Sequence, residues 1–173
     1  KDMKELIAYV KANKDKVTYA NAGVGAASHL CGMLLMTAIQ TDLTTVPYKG
    51  TGPAMTDLIG GQVDFMCDQT TNTIPQIKGG KVKAYAVTTA KRIKALPELP
   101  TVAESGVPGF QVGIWHGMWA PKGTPQAAID KLSAALRDAL KDPLGVSKFA
   151  DLGTEPVAQD QGTPAALAKH VKA

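Results

Sequence analysis

The sequence is poor in aromatic residues (5%), holds only two cysteines and three histidines, and has no apolar run near the roughly 18 residues that a membrane-crossing helix needs. Each shortage excludes something. Two cysteines cannot build a metal site alone, and His29, His116 and His170 have no ligand spacing around them, so neither a metal nor another cofactor is expected. The shortage of rings bears on nucleic acid. Lys78, Lys81, Lys83, Lys91, Arg92 and Lys94 form a stretch free of acids, yet Tyr85 is the one ring in it that could stack on a base. That stretch reads as a solvated face, and no nucleic-acid partner is expected. An initiator Met is also missing. The chain starts directly in a helical pattern at Lys1-Asp2-Met3, as expected if a signal peptide has been removed or the N-terminus cut.

What is present is the composition of a soluble globular protein, with 45% hydrophobic and 20% charged residues. A chain of 173 residues can bury roughly two-thirds of its unfolded surface, enough for a real core. The net charge of +4 suits an anionic ligand, though it would suit many others.

Met3, Leu6, Ile7 and Val10 recur at helical spacing and predict an opening amphipathic helix that ends near Asn13. Val17 to Ala20 is β-prone and runs into Asn21-Ala22-Gly23-Val24-Gly25. Ser28 follows as an N-cap for a helix over 29–40. Leu43 to Tyr48 reads as a second strand, Pro53 opens a helix that ends at Gly60-Gly61, and Val63 to Cys67 reads as a third strand. A polar loop from Asp68 to Asn72 leads to a short helix ending at Gly79-Gly80, and Lys83 to Thr88 reads as a fourth strand. Strands alternating with helices imply a parallel sheet with helices on its faces. Ligands of such sheets bind at the carboxyl ends of the strands. The Gly23 turn, the Tyr48 loop and the Asp68 loop therefore belong to one edge.

After Thr89 the pattern changes to a Pro-rich and charged crossing, in which Thr101-Val102-Ala103-Glu104 forms a capping box for one short helix. Phe110 to Ala120 reads as a strand. Thr124-Pro125 then starts a helix with an apolar stripe of Ile129, Leu132, Leu136 and Leu140, stopped by Asp142-Pro143. A last helix runs from Thr163-Pro164 toward Ala173. Two helices and about two strands are too little for a sheet of their own.

The ordered set Tyr19-Ala20-Asn21-Ala22-Gly23-Val24-Gly25 with Ser28-His29-Leu30, Val46-Pro47-Tyr48-Lys49-Gly50, Gly61-Gln62-Val63-Asp64, Ala86-Val87-Thr88-Thr89-Ala90, Leu99-Pro100-Thr101-Val102-Ala103-Glu104-Ser105-Gly106 and Ala120-Pro121-Lys122-Gly123-Thr124-Pro125 resembles the substrate-binding proteins of tripartite tricarboxylate transporters, or Bug proteins. The resemblance covers essentially the whole chain. It implies an α/β fold of the type II periplasmic-binding-protein kind, with a parallel-rich sheet flanked by helices. It also implies a periplasmic receptor, not an enzyme, that closes two lobes on a small organic carboxylate and passes it to membrane permease subunits. On this pattern residues 1–108 are the second lobe and 109–173 the returning part of an incomplete first lobe. A region with a second glycine-rich ligand loop is expected before Lys1.

The same resemblance places the ligand at Asn21, Ala22, Gly23, Gly25, Ala26 and Ser28. The physics agrees, because a strand turning through glycines into a helix leaves the first helical N–H groups unpaired, with the positive end of the helix dipole behind them. An ordinary strand-to-helix connection with a Ser cap is the competing reading. Asp68, Gln69 and Thr70 suit a second polar end of the ligand, or else a solvated loop. Asp68 would oppose an anion unless it met an ammonium group, a hydroxyl or a water. Trp115 and His116 are expected either to close the apolar side of the cleft or to pack as core. Cys31 and Cys67 fall near the same edge, where the family's commoner residues are Ala and Phe, and they are either disulfide-bonded or two buried thiols.

Two enzyme readings compete. Gly23-x-Gly25-x-x-Ser28 approximates a dinucleotide fingerprint, but its third position is Ser and the tip of the second strand offers no acid for a ribose. A hydrolase built on Ser28, His29, Cys31 and Asp68 lacks a nucleophile elbow, and adjacent helical residues such as Ser28 and His29 point to different faces.

Overall fold

Tyr19 and Ala20 are neighbours in one strand and lie almost wholly out of solvent, yet they face opposite sides of the sheet, as the two-residue period of a strand requires. Tyr19 meets the Phe65 ring edge-on at 5.1 Å, while Ala20 packs in a cluster with Ala54, Val63 and Met66. The computed structural model describes residues 1–172 and divides into two units, Lys1–Ile114 and the remainder from Trp115 on. The fold is α/β.

The first unit runs α1 (Met3–Ala12), β1 (Thr18–Asn21), α2 (Ala27–Ile39), β2 (Thr44–Pro47), α3 (Thr51–Ile59), β3 (Phe65–Met66) and α4 (Thr70–Lys78). The strands form a parallel sheet in the order β2-β1-β3, with Ala20 opposite Val46 on one side and Met66 on the other. The larger core lies on the face shared with α1 and α2, where Met3, Val10, Cys31 and Ile39 meet Val102, Val107 and Phe110. Asp2 caps α1 by accepting a hydrogen bond from the Glu5 N–H, and Asn13 ends it.

Several expectations need correction. Helix α2 begins at Ala27 rather than at His29, with Ala26 as its N-cap, so Ser28 lies inside the first turn. Helix α3 starts at Thr51, which puts Pro53 at the third helical position rather than the first. Thr70 to Asn72 belong to α4, not to a loop. Lys83 to Thr88 is not a strand of the sheet. Val87 forms one parallel bridge to Thr101, and Thr88 is tied to Val112 through its carbonyl and its hydroxyl at 2.8 and 2.9 Å. These partners engage the backbone of Val87 and Thr88 away from the sheet β2-β1-β3.

The second unit holds α5 (Gln126–Ala139), α6 (Pro143–Asp151) and α7 (Pro164–Lys172). Among the described residues it has no strand, so the strand expected over 110–120 is absent. Asp142-Pro143 ends one helix and also begins the next. Asp142 accepts a hydrogen bond from the Gly145 N–H, and Pro143 occupies the first turn of α6, a helix the residue pattern did not reveal. The expected end of the last helix at Ala173 lies outside the described residues.

Candidate functional site

The carboxyl edge of the sheet is assembled by a continuous set of short contacts. Asn21 ends β1 with its carbonyl accepting from the Tyr48 N–H at 2.9 Å, and the Ala22 carbonyl accepts from the Gly50 N–H at 3.0 Å. The turn after β1 and the loop after β2 are thereby fastened together. Gly23 has φ +125, and a Cβ there would stand 3.1 Å from the Tyr48 carbonyl oxygen, so both the backbone angle and the close approach demand glycine. Gly25, at φ +83, has open space where a Cβ would lie.

Ser28 has a different job from the capping one its position suggested. Its buried Oγ accepts a hydrogen bond from the Ala22 N–H at 2.9 Å, closing the turn from within. The Gly23 N–H is likewise taken, donating to Asn21 Oδ1 at 3.0 Å. The Gly25 N–H reaches His29 Nδ1 at 3.4 Å. What stays open is the start of α2 itself. Its first bond runs from the Leu30 N–H to the Ala26 carbonyl, which leaves the N–H groups of Ala27, Ser28 and His29 without helical acceptors, and no side chain caps them.

Helices α3 and α4 share only the missing side-chain cap, since the third residue of α3 is Pro53, which has no N–H, and the Asn72 N–H of α4 donates to the Gln69 carbonyl at 3.0 Å. Both begin just beyond the carboxyl ends of β2 and β3. Three uncapped helix starts, each with the positive end of its dipole, therefore converge on one sheet edge.

Tyr19 sets the geometry of this edge. Its hydroxyl donates to the Ser28 carbonyl and accepts from the Cys67 N–H at 3.2 Å, joining the first turn of α2 to the end of β3. Burial pushes its pKa up to about 12, so it stays protonated and keeps donating. The ring lies on Gly32, where any Cβ would stand 2.1 Å from a ring carbon, which explains a glycine in mid-helix. Cys31 and Cys67 form a disulfide with Cα atoms 6.2 Å apart, a second tie between the same two elements. No free cysteine remains among the described residues.

Asp68 follows directly. Its Oδ1 accepts from the Thr51 hydroxyl at 3.3 Å, at the first residue of α3. Burial raises its pKa, while the Gln69 backbone, the Asn72 amide and Thr51 pull it back. Asp68 Oδ2 and Asn21 Nδ2 are the buried side-chain polar atoms without a hydrogen-bond partner among the described residues, and both belong to this edge. Asn21 is wholly buried.

The residues predicted for the site thus divide. Asn21, Ala22, Gly23, Gly25, Ala26, Ser28 and Asp68 are brought together, and Gln69 and Thr70 sit beside them as the N-cap and first residue of α4. Trp115 and His116 lie in the second unit, where Trp115 meets His170 edge-on at 4.7 Å and is 48% exposed in this chain. Tyr19, Thr51 and His29 also stand at this edge, outside the expected ligand set. Thr51 stands directly after the Gly50 turn that closes β2, a place that the parallel-sheet argument already marks.

A cavity of about 400 Å³ flanks β3, lined by Tyr19, Cys31, Cys67, Asp68, Thr70 and Thr88 among others. None of residues 21–28 lines it. Another of about 500 Å³, lined by Ile77, Val82 and residues 95–99, touches none of the predicted residues.

Comparisons with known proteins agree with this architecture. Residues 1–172 match the profile of the "Tripartite tricarboxylate transporter family receptor". The chain is 57% identical over 173 residues to a UPF0065 protein from the TAR-I ttuE-ttuC' intergenic region of Agrobacterium vitis, covering all of this chain and 50% of the relative. It therefore spans about half the length of that relative. Among solved structures, the periplasmic binding protein BugD is 58% identical with a TM-score of 0.94, over 99% of this chain and 57% of BugD. MatC of Rhodopseudomonas palustris, solved with bound malate, is 42% identical with a TM-score of 0.94, over 99% of this chain and 58% of MatC. The chain belongs to the tripartite tricarboxylate transporter receptor family.

Proposed function

We propose that the chain forms one jaw of an extracytoplasmic solute receptor that binds a small organic carboxylate, a di- or tricarboxylate, an aromatic acid or an acidic amino acid. The acid is held unchanged and delivered to the permease subunits of a tripartite tricarboxylate transporter. One carboxylate lies at the start of α2, accepting from the N–H groups of Ala27, Ser28 and His29. The Asn21 amide behind the turn and the Ser28 hydroxyl support it. Residues 1–108 serve as the second lobe, residues 109–173 return to the first, and an opposing jaw completes the clamp in the periplasm.

The observation that carries this reading is the convergence of three uncapped helix starts on one braced edge. A capped start has already spent its N–H groups on a side chain, whereas the start of α2 keeps those of Ala27, Ser28 and His29 for an anion. The bound malate of MatC, a relative of the same fold, supports the carboxylate class.

Titration calorimetry of the full-length protein against a panel of these acids tests the proposal. At least one acid is expected to bind, to raise the melting temperature by mass action, and to be recovered chemically intact. A flat response across the panel, or conversion of the bound acid, would overturn it.

A further inference from the structure

Asp68 is an odd residue to find at an edge built for anions. Its carboxylate is half-buried, and neither ion pair found among the described residues involves it. Thr51 donates to one oxygen at 3.3 Å, and the Gln69 backbone and the Asn72 amide lie beside the same carboxylate. The other oxygen, Oδ2, is buried and has no hydrogen-bond partner within bonding geometry among the described residues. A buried acceptor left unpaired costs free energy, more so on a charged group.

The residue has no easy escape. On its N-terminal side Cys67 is anchored by the disulfide to Cys31 and by its N–H to the Tyr19 hydroxyl. On its C-terminal side Gln69 is the N-cap of α4, with its carbonyl accepting from Asn72 and Thr73. The carboxylate is therefore presented rather than free to swing into water. Beside a bound dicarboxylate it would repel the ligand, unless the ligand brings a donor to Oδ2.

We infer that Asp68 is the specificity-determining residue of this site, accepting a hydrogen bond from a hydroxyl or ammonium group on the carbon chain of the bound acid, so that substituted dicarboxylates bind in preference to unsubstituted ones. The inference rests on the carboxylate reading of the edge. It adds a chemical requirement that the helix starts cannot impose, because an N–H group recognises any carboxylate alike. A hydrogen bond to a charged acceptor discriminates by roughly ten- to a hundred-fold against the analogue that lacks the donor.

The test is calorimetric titration of the full-length protein with two length-matched sets of acids. One set is succinate, malate and aspartate; the other is glutarate, 2-hydroxyglutarate and glutamate. In at least one set the substituted acids are expected to bind roughly ten-fold or more tighter than the unsubstituted one. Preference for the hydroxy acid alone, or for the amino acid alone, identifies which donor is read. Asp68→Ala is expected to collapse the preference while the unsubstituted acid still binds. In Asp68→Asn, which keeps the shape and places an amide there, the ammonium acid is expected to lose most. A circular dichroism melt of each variant separates lost folding from lost recognition, and the wild-type comparison within each set needs no variant. Equal binding of substituted and unsubstituted acids in both sets overturns this inference alone. So does an unchanged preference in folded Asp68→Ala, which has no acceptor left to read the donor. If no acid of any kind binds, the carboxylate reading falls and this inference with it.

Discussion

The two units of the chain are built from similar raw material and end in opposite conditions. In Lys1–Ile114 apolar stripes on α1 and α2 close over a sheet, and Val10, Tyr19, Ala20 and Ile74 are almost wholly buried. From Trp115 on, α5 carries as clean a stripe in Ile129, Leu132 and Leu136, yet none of its residues is buried, and the same holds for α6 and α7. Amphipathic spacing makes a helix. It does not supply the surface that the helix needs.

The comparison can be broken most forcefully at the disulfide. Replacing Cys31 and Cys67 with Ser opens a loop with a sequence separation of 36, and the chain-entropy argument gives a loss of roughly 4 kcal/mol. Denaturant melts followed by segment-resolved hydrogen exchange should show protection falling within residues 1–114 only. A smaller loss is expected from Gly32→Ala, because the new methyl drives into the Tyr19 ring. Overpacking of this kind costs ~1–3 kcal/mol, read as a lower denaturant midpoint with unchanged slope.

Smaller again is the effect of Asp68 on the pH dependence of stability. Its pKa is raised in the folded state, by burial first. Between the unfolded value and that raised value the native state holds a proton that the unfolded chain has released, so stability falls as pH rises through the window. Urea midpoints of the ligand-free protein should decline with pH in the wild type and more shallowly in Asp68→Asn. The smallest effect is predicted for Leu132→Ser on the exposed stripe of α5, where Leu132 is 48% exposed. A change within about 0.5 kcal/mol of this chain's stability is expected. A loss comparable to that of Gly32→Ala would show that the stripe is covered after all.

Local chemistry proved legible in the sequence wherever one segment carries its own partners. The capping box is an example: the Thr101 N–H donates to Glu104 Oε2 at 2.7 Å and the Glu104 N–H to Thr101 Oγ1 at 3.1 Å, although the residues form a turn rather than a helix. The same was true of the Gly23 and Gly25 turn, the parallel order of β1 to β3, and the convergence of their carboxyl ends. Legibility stopped where two distant segments compete for one set of backbone groups. Lys83 to Thr88 has the residues of a strand, but its Val87 pairs with Pro100 to Val102 and its Thr88 with Val112, a choice that β propensity cannot register. Ser28 shows the limit on the site itself. Its residue type fits a cap, and only the position of Ala22 reveals that the hydroxyl turns back to the strand.

The seating of Tyr19 on Gly32 has a further consequence for how a ligand would be caught. With its ring against the helix, its hydroxyl on the Ser28 carbonyl and Cys67 donating to that hydroxyl, β1, α2 and the end of β3 behave as one body. In the proposed clamp, a jaw that is already rigid would give up little disorder on capture, and the entropic toll of binding would fall elsewhere. On the clamp reading proposed above, selectivity would then need no slow local rearrangement at this edge.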